Sequence, residues 1–105
     1  MPWLYLLIAG VFEIVWAFTM KQSHGFSRFI PSAITIGAMI ISFWLLAIAM
    51  RTIPLGTAYT IWTGIGAVGA FLIGITLLGE PVNLLRVLAA LLIVSGLILM
   101  KMSSS

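Results

Sequence analysis

The chain has 105 residues, five of them Lys or Arg, two Asp or Glu and one His, for a net charge of +3; 63% are hydrophobic and 7% charged, and mean hydropathy is +1.29. So few charges cannot cover the core of a soluble domain of this size, so lipid must be the solvent around most of it. The chain has no cysteine, which excludes a disulfide framework, a thiolate metal site and a cysteine nucleophile, and its scattered basic residues offer no stripe for a nucleic-acid backbone.

In chain order, the first apolar span covers about 3–20 and ends at Lys21. No Lys or Arg precedes it and Glu13 lies within it, so cleavage as a signal peptide is not expected. A polar connection, Lys21-Gln-Ser-His-Gly-Phe-Ser-Arg28, leads to a second span over about 29–50, with Pro31 in its first turn, where a missing N–H costs little. Arg51 and Pro54 mark the next break. A third span covers about 55–78 and stops at Gly79-Glu80-Pro81, a strong turn signal. The fourth covers about 84–100 and ends at Lys101 and a short Ser-rich tail. Each approaches the roughly 20 residues that cross about 30 Å of hydrocarbon, the first and fourth at the short end. The runs are continuous rather than alternating, which argues against a barrel. The expected fold is therefore a single all-α unit, 1–105, of four transmembrane helices, each antiparallel to the next in sequence.

That arrangement places Arg51 and Lys101 at one side of the membrane and Lys21, Arg28 and Arg86 at the other. The N-terminal amine narrows the difference further. The positive-inside rule then gives little preference for either orientation. Either the one extra charge fixes a single orientation, or the chain inserts both ways and pairs as an antiparallel dimer, the symmetry that transporters commonly build from two inverted repeats.

Glu13 is the one acidic residue within a span, and burying a carboxylate in a bilayer costs several kcal/mol unless it is protonated, paired or in a wet cavity. No Lys or Arg stands at midspan to pair with it, which favours a partner that comes and goes: a proton or a cationic substrate. Glu80, beside Pro81, reads as solvated. Ala9, Gly10, Trp16 and Ala17 share the face of Glu13 on a 3.6-residue helix. Tyr59 and Trp62, three apart in the third span, share a face with Gly66 and suit a cation through their π-faces. Ser42 is the polar side chain near the middle of the second span, and Met39 and Phe43 on its face form a soft apolar gate. A lone membrane serine commonly bonds its own backbone, and Trp3 and Tyr5 read as interfacial anchors. The small residues Gly64, Gly66, Gly69 and Gly74 permit close helix packing or a bend. Ala89, Ser95 and Gly96 in the fourth span read as a helix–helix contact.

Three stretches, Phe12-Glu-Ile-Val-Trp-Ala17, Ser23-His-Gly-Phe-Ser-Arg28 and Pro54-Leu-Gly-Thr-Ala-Tyr-Thr-Ile-Trp-Thr-Gly-Ile-Gly-Ala67, resemble the small multidrug resistance transporters over essentially the whole chain. Trp16-Ala17 and the His-Gly-Phe-Ser-Arg connection are similar to the guanidinium-exporter subtype. The resemblance implies a bacterial inner-membrane antiparallel homodimer and proton-coupled export of guanidinium-type cations by alternating access. It implies that Glu13 binds substrate and protons in turn, that Trp16 and Ser42 orient it, that Tyr59 and Trp62 line the cavity, and that Gly10 leaves room. Ala89 and Gly96 match the dimer-contact glycines of drug-exporting relatives, with alanine at the first. No cofactor or metal is implied. Export of quaternary ammonium compounds is the alternative within the class; a passive cation channel or a non-transporting helical subunit lies outside it. An enzyme is not expected, since no nucleophile–base pair, metal cluster or phosphate-binding loop is present.

Overall fold

A computed structural model describes residues 2–103; Met1, Ser104 and Ser105, and with them the N-terminal amine and the end of the Ser-rich tail, lie outside the described residues. Four helices follow in order: α1 (Pro2–Gln22), α2 (Phe29–Ala49), α3 (Leu55–Thr76) and α4 (Leu84–Ser103). All four are long and apolar enough to cross a membrane. The first and fourth are not shortened: α1 has 21 residues and α4 has 20, because Lys21-Gln22 and Lys101-Met102-Ser103 carry the helices on past the apolar runs. At 1.5 Å per residue each reaches about 30 Å.

The helix ends follow local chemistry. Thr19 and Thr35 bond carbonyls four residues back in their own helices, so their hydroxyls are tolerated in apolar surroundings. Between α1 and α2, Ser23 is a buried hub: its hydroxyl donates to Met20 O and accepts from Phe26 N–H, and its carbonyl takes the N–H groups of Ser27 and Arg28. After α3 the chain reverses at Gly79, whose φ of +69° suits a residue without Cβ. The Asn83 side chain then caps α4 by accepting from Arg86 N–H at 2.9 Å.

The helices stand side by side in the order α2, α1, α3, α4: α1 packs against both α2 and α3, α2 meets α3 only slightly, and α4 packs on α3 alone. The result is a slab of 42 × 34 × 16 Å, little thicker than one helix with its side chains, about 10–12 Å. The core lies toward one end, where Leu6 and Ala9 of α1 meet Leu46 and Ala49 of α2 and Ile61 and Trp62 of α3. That end also carries Arg51 and Lys101, whose Nζ lies 4.3 Å from the centre of the Trp3 ring, in keeping with Trp3 as an interfacial anchor. At the opposite end Arg86 pairs with Glu80 at 3.5 Å, donates to Pro81 O at 2.8 Å and lies over the Phe71 ring at 5.3 Å. Glu80 is thus exposed, as expected, but also paired. No residue of α4 is buried.

Candidate functional site

Beyond the core, where α1 is half-buried from Phe12 to Met20, Glu13 points at α3. Its carboxyl group fills the notch left by Gly66: a Cβ at position 66 would strike Glu13 Oε1, and would stand 2.7 Å from Glu13 Cγ. One carboxyl oxygen, Oε1, is buried and has no hydrogen-bond partner among the described residues. The one salt bridge among them is Arg86–Glu80, so the carboxyl group has no resident cation. The indole N–H of Trp16, one turn further along α1, is likewise buried and unbonded. One acceptor and one donor therefore stand unsatisfied on the same stretch of helix, in surroundings where such a group costs about 1–3 kcal/mol.

Around them runs a line of aromatic rings drawn from three helices. Trp16 of α1 meets Phe43 of α2 edge-on at 6.2 Å; Phe43 meets Trp62 of α3 at 5.6 Å; Trp62 meets Tyr59 at 5.7 Å. Phe43, expected as part of a gate, is the ring that joins the α1 and α3 aromatics. Met39 stands one turn before it and is half-buried, while Tyr59 is exposed at the outer end of the line.

Ser42 is completely buried, and its hydrogen bonds go elsewhere than to Glu13. Its hydroxyl donates to Ala9 O at 2.7 Å and accepts from Trp62 Nε1 at 2.9 Å. A hydroxyl has one proton, and here it serves a carbonyl of a neighbouring helix rather than its own. Ser42 thereby fixes the Trp62 ring against α1 and α2. Ala9, fully buried in the core, takes this bond at the α1–α2 contact. Gly10 is also buried, and a Cβ there would stand 2.6 Å from Ile65 Cγ2, so its lack of a side chain admits α3 to α1.

The same holds along α3. Gly69 receives Ile14 of α1, and Gly64 receives Leu97 of α4. The glycines act as seats for side chains in a continuous helix. Gly66, expected from sequence to share a face with Tyr59 and Trp62 and to permit close packing or a bend, lies under the Glu13 carboxyl group as its floor. The structure does not bring Ala89 and Gly96 to this site. Both are exposed on α4, nothing in the chain comes within 4 Å of a Cβ built on Gly96, and Gly96 lines an open groove of about 460 Å³ between α3 and α4 with Thr63, Gly64, Ile93 and Leu97.

Four apolar helices of spanning length define a small multi-pass membrane protein. The chain belongs to the small multidrug resistance family, whose model, described as Small Multidrug Resistance protein, matches residues 1–104. Similar proteins named guanidinium exporter occur in Salmonella typhimurium strain LT2 (59% identical), Citrobacter freundii (57%) and Escherichia coli K12 (56%), each over 104 residues and 99% of both chains. The family and these relatives place the chain in the bacterial inner membrane.

Proposed function

We propose that the chain is a proton-coupled antiporter that exports guanidinium and related small guanidinyl cations, with Glu13 exchanging protons for substrate. The observation that carries this reading is the buried, unpaired Oε1 of Glu13 against Gly66. A carboxylate without a resident counter-ion needs a mobile one. A proton neutralises it; a guanidinium neutralises it too and offers N–H donors in a planar fork that matches carboxylate oxygens bidentately. The two cannot occupy the same oxygens together, and that exclusion couples the fluxes. Trp16, Phe43, Trp62 and Tyr59 supply π-faces to the cation, and Ser42 holds Trp62 in place for that contact. The names of relatives 56–59% identical favour guanidinium over quaternary ammonium ions, which lack N–H donors to fork between carboxylate oxygens.

The working unit is an antiparallel homodimer. A slab 16 Å thick cannot enclose a substrate on both sides, and the exposed face of α4 with Gly96 open offers small residues for close helix association. Two copies inserted in opposite directions enclose one cavity between two Glu13 carboxyl groups, and exchanging their conformations gives alternating access.

Purified protein in liposomes under an imposed pH gradient tests the reading. Guanidinium uptake driven by the gradient is expected from the wild type, and none from Glu13→Gln. Uptake surviving in the variant rejects the exchange role of Glu13. Saturable movement of tetraalkylammonium ions but not guanidinium selects the polyspecific drug-exporting alternative, and flux insensitive to the pH gradient selects a passive channel.

A further inference from the structure

The basic side chains at the ends of the helices differ in setting, and Arg28, in the connection between α1 and α2, is exposed with no acceptor among the described residues. Arg86 is held by Glu80, Pro81 O and Phe71. Lys101 lies on Trp3, and Lys21 shares a small cavity with Glu80. Arg51, in the turn after α2, is exposed and has no acceptor among the described residues. It lines a groove of about 160 Å³ with Pro2 and Tyr5 of α1, Ile48 of α2, and Thr52. The hydroxyls of Tyr5 and Thr52 also have no partner among the described residues. The carbonyls of Ile48 and Ala49 are occupied by the N–H groups of Arg51, Thr52 and Ile53.

The groove thus gathers a guanidinium and two hydroxyls with no acceptor to receive them. Of the two acidic residues in the sequence, Glu13 is seated against Gly66 and Glu80 lies at the other end of the helices. The complement of three free donors is a group made of acceptors. The position, where the first turn of α1 meets the last turn of α2, is the level at which a spanning helix leaves hydrocarbon for headgroups. Ile48 and Pro2 give the groove an apolar floor beneath its polar rim.

We infer that the Arg51–Tyr5–Thr52 groove is a phosphate-binding site, and that its ligand is the phosphate of an anionic phospholipid, with Arg51 donating two parallel N–H bonds to the phosphate oxygens and the two hydroxyls completing the set. An acyl chain descends along Ile48. The site is separate from the Glu13 cavity and does not depend on what that cavity transports.

The test follows the side-chain N–H signals of arginine in the full chain, labelled with ¹⁵N-arginine and held in a zwitterionic-free detergent micelle. Signals are assigned with Arg28→Gln and Arg86→Gln. Short-chain phosphatidylglycerol and inorganic phosphate are titrated separately. The Arg51 signal is expected to shift and saturate with phosphatidylglycerol at concentrations where inorganic phosphate does nothing. Removing both hydroxyls in a Tyr5→Phe/Thr52→Val chain is expected to weaken binding by about tenfold, the effect of losing two such hydrogen bonds; the unchanged Arg28 and Arg86 signals report that the variant is folded. Equal response to inorganic phosphate keeps the site and assigns it to a soluble anion. The inference is overturned if Arg51 responds to neither ligand, if exposed Arg28 shifts in parallel with it, or if the double variant binds as tightly as the wild type.

Discussion

A methyl group at position 66 would fall on the Glu13 carboxyl group, whereas a Cβ built on Gly37 meets nothing within 4 Å. Gly66→Ala therefore forces Glu13 from its seat, while Gly37→Ala leaves it alone and gains up to about 1 kcal/mol of helix propensity. Liposome transport is expected to collapse in the first variant and persist in the second. Ser42→Ala leaves the Trp62 indole N–H without a partner and the Ala9 carbonyl with only its own helix's backbone bond, a loss of about 1–3 kcal/mol for a buried group. Adding Trp62→Phe removes that orphan, so the two losses in detergent stability are expected to be less than additive in a double-mutant cycle. The exchange reading also sets the sign of the pH response. Substrate displaces protons from Glu13, so apparent guanidinium affinity falls as pH falls, by up to about tenfold per pH unit for each proton displaced, through proton linkage. Calorimetry across a pH series checks it, and affinity independent of pH counts against a shared carboxylate.

Elements differ in how much of them could be read in advance. The four helices were legible because apolar runs of spanning length are bounded by Lys21, Arg51-Pro54 and Gly79-Pro81, and Glu13 stood out as a charge in such a run. Partner choice was less legible. Ser42 was expected beside Glu13, but its one proton serves the Ala9 carbonyl, a contact set by how deeply α1 and α2 interlock. The glycines of α3 signalled closeness without saying which side chain each receives. The Asn83 cap of α4 has a sequence signal, an Asn directly before an apolar run, but the neighbouring Pro81 marks the same boundary more strongly. Asn83→Ala is expected to lower stability by about 1 kcal/mol, measured as a drop in the thermal midpoint of the protein in detergent. α1 and α2 are also joined by the Thr19–Thr35 hydroxyl contact at 2.6 Å. Interhelical bonds of this kind average about 0.6 kcal/mol in membrane proteins, so Thr35→Val is expected to have a small effect beside that of Ser42→Ala.

At the scale of the whole molecule, the flat layer and the wholly unburied α4 argue for a partner, and the near-balanced end charges argue that it inserts the other way. Two features bear on the charge count. Arg86 is held by Glu80 inside one hairpin, and Lys101 is stacked on Trp3, but both still count as cations at their ends, since acidic neighbours contribute little to the orientation rule. A reporter fused to the C-terminus is expected to read out on both sides of the membrane, and a single active side would sink the antiparallel dimer. Cysteine at position 96 is expected to cross-link between two copies, since that position is open in one, whereas cysteine at position 66 is not. The open layer has a genetic consequence as well. If one chain supplies both halves of the cavity, every substitution at Glu13 or Gly66 enters the assembly twice in a pure population. In a cell making normal and altered chains in equal amounts, random pairing leaves only about a quarter of the pairs wholly normal, and a single inactive allele suppresses the activity of its neighbour.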